Sequence, residues 1–561
     1  SPLRGAPLNR GAAEKTITLT ITITETITIT ETITNKRYKA MEKRKDRIYL
    51  CLAHMSEAGV EQKYIQEAFD TNWVVPLGPN VNGFEHDLEA FVNGFKIQDS
   101  GFKIQDSRPE TWNLKPETLS KRVVALSSGT AAVHLALIAC GVGPGDEVCV
   151  QSFTFCASSH PITYLGATPV FIDSEKDTWN MDPELLEAAI KDRIAKTGKK
   201  PKAIVPVALY GMPYRIDRIM EIADRYGIPV VEDAAEGFGS RFNGQVLGTF
   251  GKYGVLSFNG NKMITTSGGG ALVTEDEAHW REIMMYATQY RESYPYYQHE
   301  KIGYNYRMSN ICAGIGRGQM TVADDHIAHH KHVQRLYEEL LKDVKGVHVH
   351  SQPDSGFKIQ DSGFKIQDSG FRIQDSRPET WNLKPETRVF DSNYWLCTIT
   401  LDPEVKVKGQ ENAYKAIVTG AVGGAAGVIH AAESAHTDCE PNANVEAMRM
   451  GLDAMNIEAR PLWKPMHCQP VYRRGVREEV RGKMEEVRGK MEEVRGKMEE
   501  VRGKREDGRE YTVATCESSV AYINGVSEGL FKVGMCLPAG PYVTDDDVRY
   551  IVECIKELIK K

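Results

Sequence analysis

The chain has 561 residues, a net charge of −7, 41% hydrophobic and 26% charged residues. Such a length suggests three or four domains at roughly 100–200 residues each, and the composition excludes wholesale disorder. Mild acidity argues against a phosphate-backbone binder, which carries a basic face, so no nucleic-acid partner is expected.

Residues 1–46 read as an N-terminal extension. Within it, 16–34 alternate Thr with apolar residues, a strand pattern of period two, and Glu25 and Glu31 would hinder edge aggregation. The unit GFKIQDS occurs twice at 94–107, followed by RPETWNLKPET, and the block returns over 356–387 with three copies, the third reading GFRIQDS. Tandem duplications in surface loops are expected, because added loop length carries a small entropic cost. EEVRGKM recurs from 478 to 504, and Val480, Met484, Val487, Met491, Val494, Met498 and Val501 trace a coiled-coil seam. Each heptad also carries a glycine, costing about 1 kcal/mol relative to alanine in a helix. A surface helix or disordered insertion is therefore expected there rather than a coiled coil. Without the extension and the insertions at 94–118, 355–387 and 478–504, roughly 430 residues remain. They fit a large domain over 47–345 and a smaller C-terminal domain over 346–561.

From 120 to 275 short β-branched runs alternate with amphipathic helices, the pattern of an α/β fold with a mostly parallel central sheet. Val123–Leu126 reads as a strand, and Ser127, Ser128, Gly129 and Thr130 as the turn into a helix over Ala131–Cys140 that Gly141 closes. A strand, small hydroxyl residues and a helix N-terminus make an anion site, although a plain N-cap needs only one of those hydroxyls. The aromatic Phe155 follows the strand Glu147–Gln151; it stacks on a planar ligand or belongs to the core. Pro229–Glu236 is a buried-type strand ending in acids, and ligands bind at the carboxyl ends of strands in open α/β sheets. Asp233 there pairs with a protonated heterocyclic nitrogen or caps a helix. Next, Lys262 stands alone between Ser257 and the glycines 268–270, and a buried lysine can form a Schiff base. Phosphate cradle, ring stack, acid partner and lysine together meet the needs of pyridoxal phosphate (PLP).

The segments SSGTAAVHLAL, QSFTF, VVEDAAEGFGS, LGTFG, SFNGNKMITTSGGG and GYNYRMSN resemble the DegT/DnrJ/StrS nucleotide-sugar aminotransferases, which are PLP enzymes of fold type I, aspartate aminotransferase-like. The resemblance implies that Lys262 binds the cofactor, Asp233 pairs with its ring nitrogen and Phe155 stacks on the ring. It implies that Ser128, Gly129, Thr130 and Ser257 hold the phosphate, that Glu236 lies near the cofactor hydroxyl, and that Asn305 reaches the phosphate of a neighbouring subunit in a homodimer. Within the family, TNWVVPLGPNVNGFE, SFNGNK and RPLWKPMH are most similar to aminotransferases of the UDP-N-acetylbacillosamine pathway. This implies a UDP-linked 4-keto sugar and glutamate as substrates, with Asn72, Trp73, Arg460, Lys464 and His467 as substrate contacts. Two further readings are a sugar dehydratase of the same fold, which Lys262 opposes because those relatives carry histidine there, and a non-catalytic PLP-binding regulator. The segment from Lys408 to Asn444 is longer than that pathway's enzymes lead one to expect.

The eleven cysteines are dispersed, none in a C-x-x-C pair, as expected for reduced cytosolic thiols. No cluster has zinc-ligand spacing, so no metal is expected. No secretory signal and no stretch of about 18 apolar residues is visible. A soluble, cytoplasmic protein without a membrane partner is expected.

Overall fold

Apolar strands of three to five residues, almost wholly buried, sit between two layers of helices, and such strands make up the middle of a ten-stranded sheet here. The computed structural model describes residues 43–94, 120–353, 388–413, 439–473, 499–504, 509–516 and 518–559. In chain order the strands are β1 (Arg122–Leu126), β2 (Glu147–Gln151), β3 (Thr168–Ile172), β4 (Ala203–Val205), β5 (Val231–Asp233), β6 (Arg241–Phe242), β7 (Gln245–Val246), β8 (Tyr253–Ser257) and β9 (Gly270–Thr274). There follow β10 (Val347–Val349), β11 (Phe390–Asp391), β12 (Cys397–Leu401), β13 (Arg460–Pro461), β14 (Glu499–Lys504), β15 (Glu510–Cys516), β16 (Ser519–Ile523) and β17 (Gly534–Leu537).

One run of the large sheet is β14-β15-β16-β3-β2-β4 and the other β5-β8-β9-β1. The parallel bridges Ile204–Val230 and Val207–Asp233 join them at β4 and β5. Only β9 and β15 run against the others. Side chains alternate between two cores, as the period of a strand requires. Cys149 of β2 joins the core with Leu185, Ile190, Ile219 and Ile222, from the helices Pro183–Thr197 and Ile216–Tyr226. Val148 and Val150 join the opposite one with Val133, Leu135 and Ile283, from Gly129–Ala139 and Glu277–Ala287.

A second, antiparallel sheet, β10-β12-β17-β13, packs with Val333, Tyr337, Met448, Leu452, Ile551 and Ile555, which come from helices Ala323–Leu341, Ala443–Ala454 and Asp545–Leu558. That last helix starts at a capping box, in which Thr544 accepts from the Asp547 backbone while the Asp547 side chain accepts from Thr544.

Two expectations meet a different outcome. Residues 499–504, the last EEVRGK copy, are neither helix nor coil but the outermost strand of the large sheet. The heptad glycine suits that strand, since a Cβ on Gly503 would collide with the ring of Tyr511 directly across the pair. Moreover, β14–β16 belong to the large sheet, although the sequence reading put everything after 346 in the small domain. Val513, Ala514, Val520, Ala521 and Tyr522 are buried, and β16 runs parallel to β3 and covers its edge. An alternating strand fits either sheet, so its pattern alone does not say which. The Thr/Ile repeat, both GFKIQDS blocks beyond Gly94, most of the 408–444 segment and the earlier EEVRGKM copies lie outside the described residues.

Candidate active site

The carboxyl ends of β1, β2, β5 and β8 converge on one place. After β1 the chain turns at Ser128, whose extended backbone and side chain cap the helix Gly129–Ala139 by accepting from the Ala131 N–H (3.0 Å). No side chain fits between this turn and β9. A Cβ on Gly270 would collide with the backbone of Ser128 and Gly129, and one on Gly129 would stand 3.0 Å from Ser257 Cβ. Thus Ser128, Gly129, Thr130 and Ser257 surround a single helix N-terminus, where unsatisfied N–H groups and the helix dipole attract an anion.

Asp233 ends β5. Its Oδ2 accepts from Ser158 Oγ at 2.6 Å and its Oδ1 from the Ala235 N–H at 3.1 Å. Burial pushes its carboxyl above the usual range, against the opposing effects of the Ser158 and Ala235 hydrogen bonds and the Lys262 charge. Glu236 lies one turn on. Its Oε2 accepts from the Tyr210 N–H at 2.7 Å and its Oε1 faces Lys262 Nζ at 3.4 Å. Burial raises it as well, opposed chiefly by the Lys262 charge. Lys262 Nζ also sits 4.2 Å above the Trp395 ring, which is fixed by its own N–H to Asn261 O at 2.7 Å. The lysine thus stands between a carboxylate and an aromatic face, with Asp233 close enough for its charge to be felt.

A wall of aromatic rings closes one side. Phe155 is 53% exposed, unlike a core residue, and its centroid is 5.7 Å from that of Trp463, which in turn lies 5.8 Å from Tyr210. Tyr210 has φ 55, a left-handed conformation that side chains disfavour, and is held by Glu236 at its N–H and by the Trp463 N–H at its hydroxyl (2.7 Å). The buried Trp463 Nε1 has no acceptor among the described residues.

The remaining candidates are more scattered. His467 is buried, with Nδ1 2.5 Å from Ser152 Oγ and Nε2 3.1 Å from Glu528 Oε1. That contact holds the Glu528 carboxyl down at about 2. Lys464 Nζ donates to Cys439 O at 2.8 Å, and burial lowers its pKa. Arg460 is exposed and pairs with Glu458 at 2.7 Å. Asn72, at φ 58, and Trp73 are exposed on the turn after helix Val60–Asp70, where Trp73 O accepts from Asn310 Nδ2. Asn305 is exposed too, on a bridge to Thr288.

Ser158, Tyr210, Trp395 and Trp463 were not singled out from the sequence. Ser158 follows Phe155 by three residues in SFTFCASS and Trp463 lies inside RPLWKPMH, so both had a local signal. Tyr210 and Trp395 had none, because each meets its partner across a fold-level contact.

Comparison with known proteins agrees with this arrangement. The pattern of the DegT/DnrJ/EryC1/StrS aminotransferase family matches residues 113–364. EpsN of Bacillus subtilis, which its name assigns to the pyridoxal phosphate-dependent aminotransferases, is 35% identical over 512 residues, covering 91% of this chain and 96% of the relative. The chain belongs to the DegT/DnrJ/EryC1/StrS aminotransferase family. GDP-perosamine synthase of Escherichia coli O157:H7 is 36% identical over 304 residues, 54% of this chain and 74% of that protein. A family aminotransferase from Brucella abortus superposes with a TM-score of 0.61 at 22% identity, covering 90% of this chain and 96% of its own, which establishes the shared fold. The protein is a PLP-dependent sugar aminotransferase of fold type I. Among the described residues no helix is long and apolar enough to cross a membrane.

Proposed function

We propose that this enzyme transfers an amino group from glutamate to the C4 keto carbon of a UDP-linked 4-keto-6-deoxy-N-acetylhexosamine, working as a homodimer with shared sites. The observation that carries the reading is Lys262 Nζ, 3.4 Å from buried Glu236 and 4.2 Å above Trp395, beside a glycine-lined helix N-terminus.

The residues fit PLP. The cradle of Ser128, Gly129, Thr130 and Ser257 suits its phosphate, the Asp233 carboxylate its ring nitrogen, and the exposed face of Phe155 its ring. Trp463 Nε1, a buried donor lacking an acceptor among the described residues, suits a ligand oxygen. Bound PLP supplies the conjugated ring that draws electrons from the carbon being deprotonated. Asp233, fixed by Ser158 and Ala235, holds a proton at the ring nitrogen. With PLP bound, Lys262 Nζ would take the proton from the α-carbon of glutamate and pass it to the cofactor carbon, and in the second half-reaction would take a proton from that carbon and deliver it to C4 of the sugar. Glu236 balances the lysine charge and aims it. Asn305, exposed, is read as reaching the phosphate of a partner subunit, as the family resemblance implies.

For the acceptor, Arg460, Lys464 and His467 come from one segment, and Trp463 brings that segment against Phe155 and Tyr210. Asn72 and Trp73 offer a second exposed lining. The nucleotide is supported by the likeness in RPLWKPMH and TNWVVPLGPNVNGFE. A GDP-linked acceptor is the second reading, favoured by the similarity to GDP-perosamine synthase.

A panel of UDP-, GDP- and dTDP-linked 4-keto and 3-keto sugars, with glutamate and release of 2-oxoglutarate as readout, tests both. The highest kcat/KM is expected on the UDP-linked 4-keto N-acetyl sugar. Preference for a GDP-linked or 3-keto sugar overturns the acceptor assignment, and failure with glutamate beside turnover with another amino acid overturns the donor.

A further inference from the structure

Outside the cofactor site one cluster of metal-binding side chains stands out. Cys439, Cys468 and Glu528 present two sulfurs and a carboxylate oxygen that all lie within 4.8 Å of one another. They are far apart in the chain. Cys439 precedes the helix Ala443–Ala454, Cys468 ends the turn Met466–Cys468, and Glu528 is on the helix Val526–Val533. We propose that Cys439, Cys468 and Glu528 bind a structural zinc ion, with water as fourth ligand, that clips these three segments together.

The donor chemistry and geometry agree. Two thiolates with a carboxylate suit a borderline-soft ion of tetrahedral preference. Ligands at about 2.0–2.3 Å from zinc stand roughly 3.5–3.8 Å apart across a tetrahedron, so closing the site asks each side chain to move by about 1 Å or less. Both cysteines are buried and pack with Phe531, and their sulfurs lie within 4.8 Å of one another. An outer layer is also in place. His467 Nε2 is hydrogen-bonded to Glu528 at 3.1 Å and His467 Nδ1 to Ser152, so the proposed ligand carboxylate is itself held by an outer hydrogen bond that fixes its orientation. Counting two thiolates and one carboxylate against a divalent ion leaves one negative charge. Arg473 Nη2, 3.7 Å from Cys468 Sγ, and Lys464, on Cys439 O, stand where they compensate it.

Cofactor and clip are linked mechanically. Ser152 opens the run from the end of β2 to Phe155, and its hydroxyl meets His467, which leans on the carboxylate ligand. Binding at the clip therefore stiffens the wall that flanks the ring. Sequence spacing concealed the site, because 28 residues lie between the cysteines and the third ligand stands 60 positions beyond Cys468.

Metal content of the purified PLP-loaded enzyme, grown with zinc and then dialysed against metal-free buffer, is the direct test. About one zinc per chain is expected, falling to background in Cys439→Ser/Cys468→Ser. Cobalt added to the metal-stripped wild type should give thiolate-to-metal charge-transfer and tetrahedral ligand-field bands. Should the double variant fail to fold, Glu528→Gln serves instead: it keeps both thiols, and its cobalt spectrum should lose intensity or change geometry. Zinc at a small fraction of one per chain with no cobalt bands overturns the proposal. So does a Cys439–Cys468 disulfide in the peptide map of enzyme purified without reductant, which would make the pair a redox couple. Neither readout depends on transamination, so a failed substrate assignment leaves this result intact.

Discussion

The cofactor end and the acceptor end of this site are built by different means. At the cofactor end the backbone does the positioning. Strand ends β1, β5 and β8 meet there, Gly129 and Gly270 permit a close approach, and Asp233 and Glu236 are buried. At the proposed acceptor end the candidates are side chains of one segment, 460–467, ranging from exposed Arg460 to buried His467. A backbone-built region tolerates almost no change of volume, whereas a side-chain-built region changes chemistry while the frame persists. That is how one fold keeps its cofactor and varies its sugar.

Substitutions can break this contrast, beginning with the largest effect. Lys262→Ala should abolish the yellow absorbance of lysine-bound PLP and lower turnover by roughly 10^4-fold or more, while thermal unfolding moves little; a variant that still transaminates would sink the assignment. Gly270→Ala comes next, because its new methyl group meets backbone rather than a movable side chain. A loss of about 3 kcal/mol in stability and weaker PLP retention are expected, read by thermal melting and cofactor dialysis. Ser158→Ala removes one hydrogen bond to a carboxylate, an effect of about 1.5–3 kcal/mol.

The sign of that third effect follows from charge. Burial already raises Asp233, and Ser158 opposes the rise, so its removal raises the carboxyl further. In the proposed role the ionised form would hold the ring proton. Activity should therefore fail at higher pH on the acid side than in the wild type, with the alkaline limb unmoved. An unshifted acid limb would show that Asp233 does not govern it. Arg460→Ala is expected to be smallest. Its exposed pair with Glu458 contributes less than about 0.5 kcal/mol to stability, and the loss should appear in KM for the sugar rather than in kcat. A large fall in kcat instead would place Arg460 with the cofactor machinery and erase the contrast.

The same contrast governs what the sequence disclosed. Ser128–Thr130 and Ser257–Gly270 are contiguous motifs, so cradle and lysine were legible together, as was Asp233 at a strand end. The contacts that complete the site join remote positions: Ser158 to Asp233, Tyr210 to Trp463, Trp395 to Asn261 beside Lys262. No local spacing encodes such pairs. Strand placement failed for a related reason. No element was assigned to 510–523 from the sequence, and it is the edge of β3 that takes up these strands.

The edge strand β14 has one more implication. Its sequence, EEVRGK, is one copy of a unit that also stands seven, fourteen and twenty-one residues upstream. Each of these copies has the same residues as β14, its glycine included. They are interchangeable parts, so loss or gain of one heptad leaves a complete strand at the sheet edge and alters only the length of the connection before it, at well under about 1 kcal/mol of loop entropy. Deletion of one heptad from this stretch is therefore expected to leave the thermal melting of the enzyme nearly unchanged.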